Sequence, residues 1–251
     1  MIDAAWKSDI GQVRRVNEDR AALVVDEGGT VLAVVADGMG GHQAGEVASQ
    51  IAVETVVREM RALLSASLDE LGEALREAVL RANDAVFAHA RAHPACAGMG
   101  TTVVAAIARV EGGVVAHVGD SRAYQLTGGR MVCLTEDHSL VNELVKHGHL
   151  SPEEAEHHPQ RHVLTQALGT DSGVRVDVAR FTWQGGDALL LCSDGLSSLV
   201  AEDDLSAILA SAATASEAVD RLVSRANEAG GDDNITVVVL RNKGENRGEA
   251  R

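Results

Sequence analysis

Val31-Leu-Ala-Val-Val-Ala-Asp37-Gly-Met-Gly-Gly-His42 runs six apolar residues into an acid and then into a cluster of glycines. A Val-rich run too short for a free-standing helix reads as a buried strand. The acid falls where that strand ends, and Gly38, Gly40 and Gly41 let the backbone turn tightly against whatever the acid holds. A carboxylate at a strand end is costly to bury alone, and a cation is its simplest partner. Taken by itself, the stretch fits an ordinary Asp-Gly turn between two strands equally well.

The same pattern recurs along the chain. Val114-Val-Ala-His-Val-Gly-Asp120 and Ala188-Leu-Leu-Leu-Cys-Ser-Asp194 are apolar runs that end in an acid. In Asp232-Asp233-Asn234 the order is reversed, because the acids precede the run Ile235 to Leu240, and Asn17-Glu18-Asp19 likewise precedes Ala21 to Val25. Acids at so many strand ends are hard to explain as unrelated turns. If they converge they form an all-oxygen site, which suits magnesium, manganese or calcium rather than zinc or copper.

With 251 residues the chain is long enough for one large core. Aromatics make up only 2% of it, so that core must be built from Ala, Val and Leu. A net charge of −15 argues against nucleic acid or an anionic membrane as a partner. Cys96, Cys133 and Cys192 form no metal or disulfide pattern, and the last two sit in apolar runs as expected buried thiols. No run approaches the roughly 20 apolar residues of a membrane span, and the N-terminus has no leader pattern, which fits a cytoplasmic enzyme.

Taken in order, the chain predicts a first strand over 2–9, a polar loop, and strands at about 21–26 and 31–36 joined by Glu27-Gly28-Gly29. Helices follow at about 44–64 and from the capping box Ser67-Leu-Asp-Glu70 to the residues before Pro94. Short strands near 101–107, 114–118, 122–126 and 130–134 read as an antiparallel meander. Residues 135–172 hold six of the ten histidines and a Pro-led helix start at Ser151-Pro-Glu-Glu154, and they read as a flap. Strands at 174–182 and 187–193, helices at 202–211 and 215–228 and a last strand at 234–240 complete one domain over 1–241. Residues 242–251 read as a disordered tail. The element order suits an α+β fold with two antiparallel sheets face to face and helices outside each.

Ser8-Asp-Ile-Gly11, Arg14, Asn17-Glu18-Asp19, Asp37-Gly-Met-Gly-Gly-His42, Gly100-Thr-Thr102, Gly119-Asp-Ser-Arg122, Ser193-Asp-Gly195 and Asp233-Asn234 together resemble the metal-dependent protein Ser/Thr phosphatases of the type 2C family, in their compact bacterial form. The set is ordered and covers nearly the whole chain. The resemblance implies a four-layer α/β/β/α sandwich and hydrolysis of phosphoserine and phosphothreonine on proteins, opposing a bacterial Ser/Thr kinase. It implies two Mn²⁺ or Mg²⁺ ions with room for a third, weaker one. On that likeness Asp37 bridges the ions, the Gly38 carbonyl meets the second, and Asp194 and Asp233 complete the first. Glu18 and Asp19 act near the second ion, Asp120 joins Asp194 at the third, and Arg14 holds the substrate phosphate. A hydroxide held by the ions attacks phosphorus in line, so phosphoryl transfer needs mainly positioning and charge neutralisation. A monomer is expected.

One departure concerns the general acid. Animal members of the family have His after Asp-Gly, where this chain and similar bacterial members have Met39. His42 and an ion-held water are the candidates for the acid, with helix capping as the plain role of His42. His162 is either a contact for the substrate or third ion, or a solvated loop histidine. Arg122 is expected to hold its loop by ion pairing, and Arg15 to be a surface charge. The alternative function is a pseudophosphatase that binds a phosphoprotein without turnover. It predicts a missing ligand, and no ligand is missing. An aspartyl-nucleophile phosphatase would need a second acid at Met39, and a calcium module would need an Asp-x-Asp-x-Asp-Gly loop.

Overall fold

The computed structural model of the protein describes residues 1–40 and 44–244, so His42 and residues 245–251 lie outside the described residues. The chain opens with strands β1 (Ile2–Asp9), β2 (Asp19–Val25) and β3 (Val31–Met39), then helices α1 (Ala44–Met60) and α2 (Leu68–Ala92). Strands β4 (Gly100–Thr101), β5 (Val103–Arg109), β6 (Gly112–Val118), β7 (Arg122–Thr127) and β8 (Arg130–Cys133) come next. Short helices α3 (Leu140–Lys146) and α4 (Pro152–Glu156) lie within 135–172. The chain closes with β9 (Asp177–Phe181), β10 (Ala188–Cys192), α5 (Asp194–Ser197), α6 (Glu202–Ser211), α7 (Ala215–Glu228) and β11 (Ile235–Asn242).

All the strand pairings are antiparallel. One sheet has the order β1-β11-β10-β7-β8 and the other β2-β3-β5-β6-β9, with β4 paired to β3. The central strands are continuous apolar runs because both of their faces are covered. On β3, Leu32, Val34 and Ala36 pack toward α1 and α2, while Val31, Ala33 and Val35 face the other sheet. On β10, Leu190 and Cys192 pack with α6 and α7, and Leu189 and Leu191 fill the layer between the sheets. Antiparallel sheets usually leave one face wet and alternate in hydropathy. Here the lack of alternation marks the helix layers outside both sheets.

Local chemistry sets most element ends. The Ser67–Glu70 capping box opens α2 as expected, each residue accepting from the other's backbone N–H, a device that contributes about 1 kcal/mol. Helix α1 stops at Met60 rather than 64, and the carbonyls of Leu64 and Ala66 in the following turns accept from the Arg109 guanidinium at 2.6 and 2.5 Å. Strand β3 runs past Asp37 because β4 supplies partners, Thr101 for Gly38 and Gly100 for Met39. Strand β9 is shorter than the 174–182 run. Strand β11 is longer than expected because Ile2 and Asp3 keep pairing with Asn242 and Arg241, and Asn242 is buried. Cys192 is buried as expected, but Cys133 is exposed, since β8 is an edge strand that, among the described residues, pairs with β7 alone.

Leu191 fills the layer between the sheets and is wholly buried. Leu191→Ala is expected to lower the unfolding free energy by about 2–5 kcal/mol, read as a lower urea midpoint at unchanged m-value. A loss below about 1 kcal/mol would mean that the layer is not close-packed there.

Candidate active site

The carboxylates gather at one end of the sandwich, where strands of both sheets start or stop. Asp37 lies in β3 and faces Asp19 at the start of β2 in a register pair. Asp120 follows β6, Asp194 follows β10, and Asp233 precedes β11. Between them lies a cleft of about 570 Å³ lined by Arg14, Glu18, Asp37, Gly38, Asp120 and His162, with Asp194 and Asp233 from the other sheet. Asp19 does not line it. Its carboxylate is buried behind the others, with Oδ2 accepting from Ser193 Oγ at 2.7 Å.

Short polar residues hold this arrangement. Ser193 Oγ also accepts from Thr236 N–H at 3.0 Å, so it ties both strands of the β10–β11 pair, at this one end, to Asp19 in the other sheet. Thr102 Oγ1 accepts from Asp37 N–H at 3.0 Å and pairs with Ser121 Oγ at 2.7 Å, while Thr101 Oγ1 donates to Asp37 O at 2.8 Å. The side chain of Asn234 staples the 10–18 loop. It donates to the carbonyls of Ile10 and Val16 and accepts from Glu18 N–H, at 3.0, 3.0 and 2.8 Å. Gly38 has no room for a side chain, because a Cβ there would sit 2.1 Å from Gly45 O and 2.6 Å from Glu18 O.

The electrostatics are those of acids crowded together. Burial pushes Asp37 well above the usual carboxylate range, and Asp19, Asp194, Asp120 and Asp233 push the same way. Burial raises Asp19 to about 7 against the hydrogen bonds from Ser193 and Thr236. Burial, followed by Asp194 and Asp137, raises Asp120 to about 7. Glu18 and Asp233 are also raised, mainly by burial. Among the described residues, the buried carboxylate oxygens Glu18 Oε1, Asp19 Oδ1 and Asp194 Oδ1 have no hydrogen-bond partner. Unpartnered buried oxygens are costly, and an all-oxygen acidic donor set fits hard divalent cations. The residues present therefore fit magnesium or manganese.

Cationic groups stand at the same cleft. Arg14 Nη2 pairs with Asp233 Oδ2 at 2.7 Å. His162, half exposed, has Nδ1 3.8 Å from Asp194 Oδ2, and that contact raises its pKa. It lines the cleft from a half-exposed loop. Arg122 forms a bidentate pair with Asp137 at 2.9 and 2.7 Å, the loop-holding role expected of it, and Arg15 is exposed. Arg161, which also lines the cleft, was not singled out in the sequence. Nor were the stapling role of Asn234 and the bridging role of Thr102, although both lie in motifs that were. The proposed acid His42 lies outside the described residues.

The protein phosphatase 2C family profile matches residues 12–235. The serine/threonine phosphatase stp of Listeria monocytogenes is 42% identical over 242 residues, covering 95% of each chain. The chain superposes on the Streptococcus agalactiae serine/threonine phosphatase with a TM-score of 0.90 at 34% identity, over 96% of this chain and 99% of that one. It superposes on the catalytic domain of the serine/threonine protein phosphatase PstP, in complex with two manganese ions, with a TM-score of 0.84 at 34% identity, over 96% and 97% of the two chains.

Raised carboxyls make a testable signature. Asp19 and Asp120, at about 7 in the fold against roughly 4 in an unfolded chain, bind more protons when native. They therefore lower the stability of the ion-free protein progressively as pH rises from about 4 to about 7. An ion that takes the protons' place removes this loss. The stability gained on adding Mn²⁺ to EDTA-stripped protein is thus expected to grow from about pH 5 to about pH 8, measured by urea unfolding with and without the ion. A gain independent of pH would contradict the assignment.

Proposed function

The chain belongs to the protein phosphatase 2C family and is a metal-dependent protein serine/threonine phosphatase; from that premise we propose which of its residues do the work. Asp37, the backbone carbonyl of Gly38, Asp194 and Asp233 hold the principal divalent ions, Mn²⁺ or Mg²⁺ and two in number. Glu18 and Asp19 support them, and Asp120 serves with Asp194 at a third, weaker ion. The observation that supports this reading best is the set of unpartnered buried oxygens of Glu18, Asp19 and Asp194 around one acidic cleft.

When bound, such ions neutralise the phosphoryl charge and acidify a water for attack on phosphorus. The chain's own residues bind and orient. Arg14 offers the phosphate a planar fork of N–H donors, and its pairing with Asp233 keeps that fork at the cleft. His162, whose pKa Asp194 raises, presents a second donor toward the substrate anion. Asp19 acts from behind. Its bond to Ser193 holds the β10 end, and so Asp194, in register with β2 and Asp37. Either His42 or a water delivers the proton to the leaving alkoxide. The natural substrates on this reading are proteins phosphorylated by a Ser/Thr kinase, acted on by a monomer in the cytoplasm. No described helix is long and apolar enough to cross a membrane.

The direct test is hydrolysis of a phosphothreonine peptide by EDTA-stripped protein with Mn²⁺, Mg²⁺, Ca²⁺ or nothing added back. Mn²⁺ is expected to restore turnover, and Asp194→Asn to lose at least about a hundredfold. Arg14→Ala is expected to raise KM roughly tenfold or more. A folded protein that shows no turnover with any of these metals would point instead to a phosphoprotein-binding role without catalysis.

A further inference from the structure

His117 and His138 are buried beside Asp177, outside the cleft, and none of the three has a part in the chemistry above. Their ligand atoms lie within 4.8 Å of one another, a grouping that invites a metal. The hydrogen bonds favour a different use. Gly119 N–H donates to His138 Nδ1 at 3.3 Å, so Nδ1 carries the lone pair. The ring proton then sits on Nε2, 3.2 Å from Asp177 Oδ2, and is donated to it. An ion on Nε2 would force that proton to Nδ1, against the Gly119 N–H. His117 Nε2 is already engaged, donating to Glu136 O at 2.8 Å, and burial lowers its pKa and keeps it neutral.

Gly119 is the residue before Asp120, and it is gripped on two sides. His138 N–H donates to Gly119 O at 3.0 Å, so the two residues exchange hydrogen bonds. On another side Thr102 crowds it, since a Cβ on Gly119 would lie 2.7 Å from Thr102 Cβ, and its φ of +104° favours glycine. The same histidine reaches the segment that carries His162. His138 O accepts from Thr165 N–H at 2.8 Å, and the neighbouring Leu140 N–H donates to Val163 O at 2.8 Å. The buried ring therefore joins β9 to the 119–122 loop, while the backbone of residues 138–140 holds the 163–165 segment.

We propose that His138, its Nε2–H anchored on Asp177 and its Nδ1 accepting from Gly119, is a positioning residue for Asp120, fixing the loop that presents that carboxylate to the cleft and tying it to the segment bearing His162. This rests on the reading of Asp120 as an ion ligand. Groups that orient a ligand without touching the ion typically tune affinity by tenfold to about a hundredfold.

The test is Mn²⁺ binding by calorimetry to the full chain, comparing wild type with Asp120→Asn, His138→Leu and His138→Asn, each checked for folding by thermal melting. Leu keeps the bulk of the ring but leaves Gly119 N–H unpaired, whereas Asn places an oxygen where Nδ1 was. Asp120→Asn and His138→Leu are expected to weaken the weakest Mn²⁺ site roughly tenfold or more, with His138→Asn close to wild type and the tighter sites unchanged in all three. If Asp120→Asn loses the weak ion but His138→Leu does not, the positioning role is overturned and the ligand reading stands. If Asp120→Asn changes nothing, or no weak site exists, both fall. Long-range ¹H–¹⁵N NMR of the Mg²⁺-loaded wild type supplies an independent readout. A ring protonated on Nε2 alone is expected, and a ring protonated on Nδ1 would overturn the proposal whatever the variants do.

Discussion

Asp19 and Asp37 stand opposite one another at the mouth of the β2–β3 hairpin, and Asp120, Asp194 and Asp233 act on Asp37 as well. Like charges brought together while water is removed repel, and the fold must hold them there regardless. The surrounding polar contacts make sense as responses to this one constraint. Ser193 satisfies one oxygen of Asp19, Thr101 and Thr102 pin the backbone of Asp37, and Asn234 fastens the loop that carries Arg14 and Glu18. What protein donors leave open at Glu18, Asp19 and Asp194 is what a hard cation would fill.

The energy that holds such a site comes from its surroundings. The central strands of both sheets are buried on both faces, so three apolar layers stack behind the acidic end. The layer between the sheets is made largely of Ala, Val and Leu, with Phe181 and Trp183 in edge-to-face contact. Small side chains let the two sheets close on one another, and that closure brings Asp194 and Asp233 of one sheet to Asp37 and Asp120 of the other. Tight glycines finish the fit where backbones meet, as at Gly38 against Gly45.

Much of this was legible in the sequence because it is local. Strand ends that carry acids, the Ser67–Glu70 capping box and the unalternating apolar runs are each readable within a window of a few residues. Pairings across distance were not. Strand β4 is only Gly100–Thr101 and exists because β3 continues past Asp37 to meet it. Cys133 sits in an apolar run yet is exposed, since nothing in its own stretch says that β8 lies at a sheet edge. Asp19 and Glu18 are adjacent in sequence but differ in place, one behind the cleft and one on its wall, because successive residues entering a strand point opposite ways. Arg161 on the cleft wall also escaped, since a histidine-rich loop offers no periodicity from which to aim its side chains.

The central claim is that the acidic end of the sandwich is a cation site. Anomalous diffraction at the manganese edge from Mn²⁺-soaked crystals tests it most directly. Peaks are expected in the cleft among Asp37, Gly38, Asp194 and Asp233. A crystal saturated with Mn²⁺ that shows no peak there, or shows one only between His117, His138 and Asp177, would contradict it.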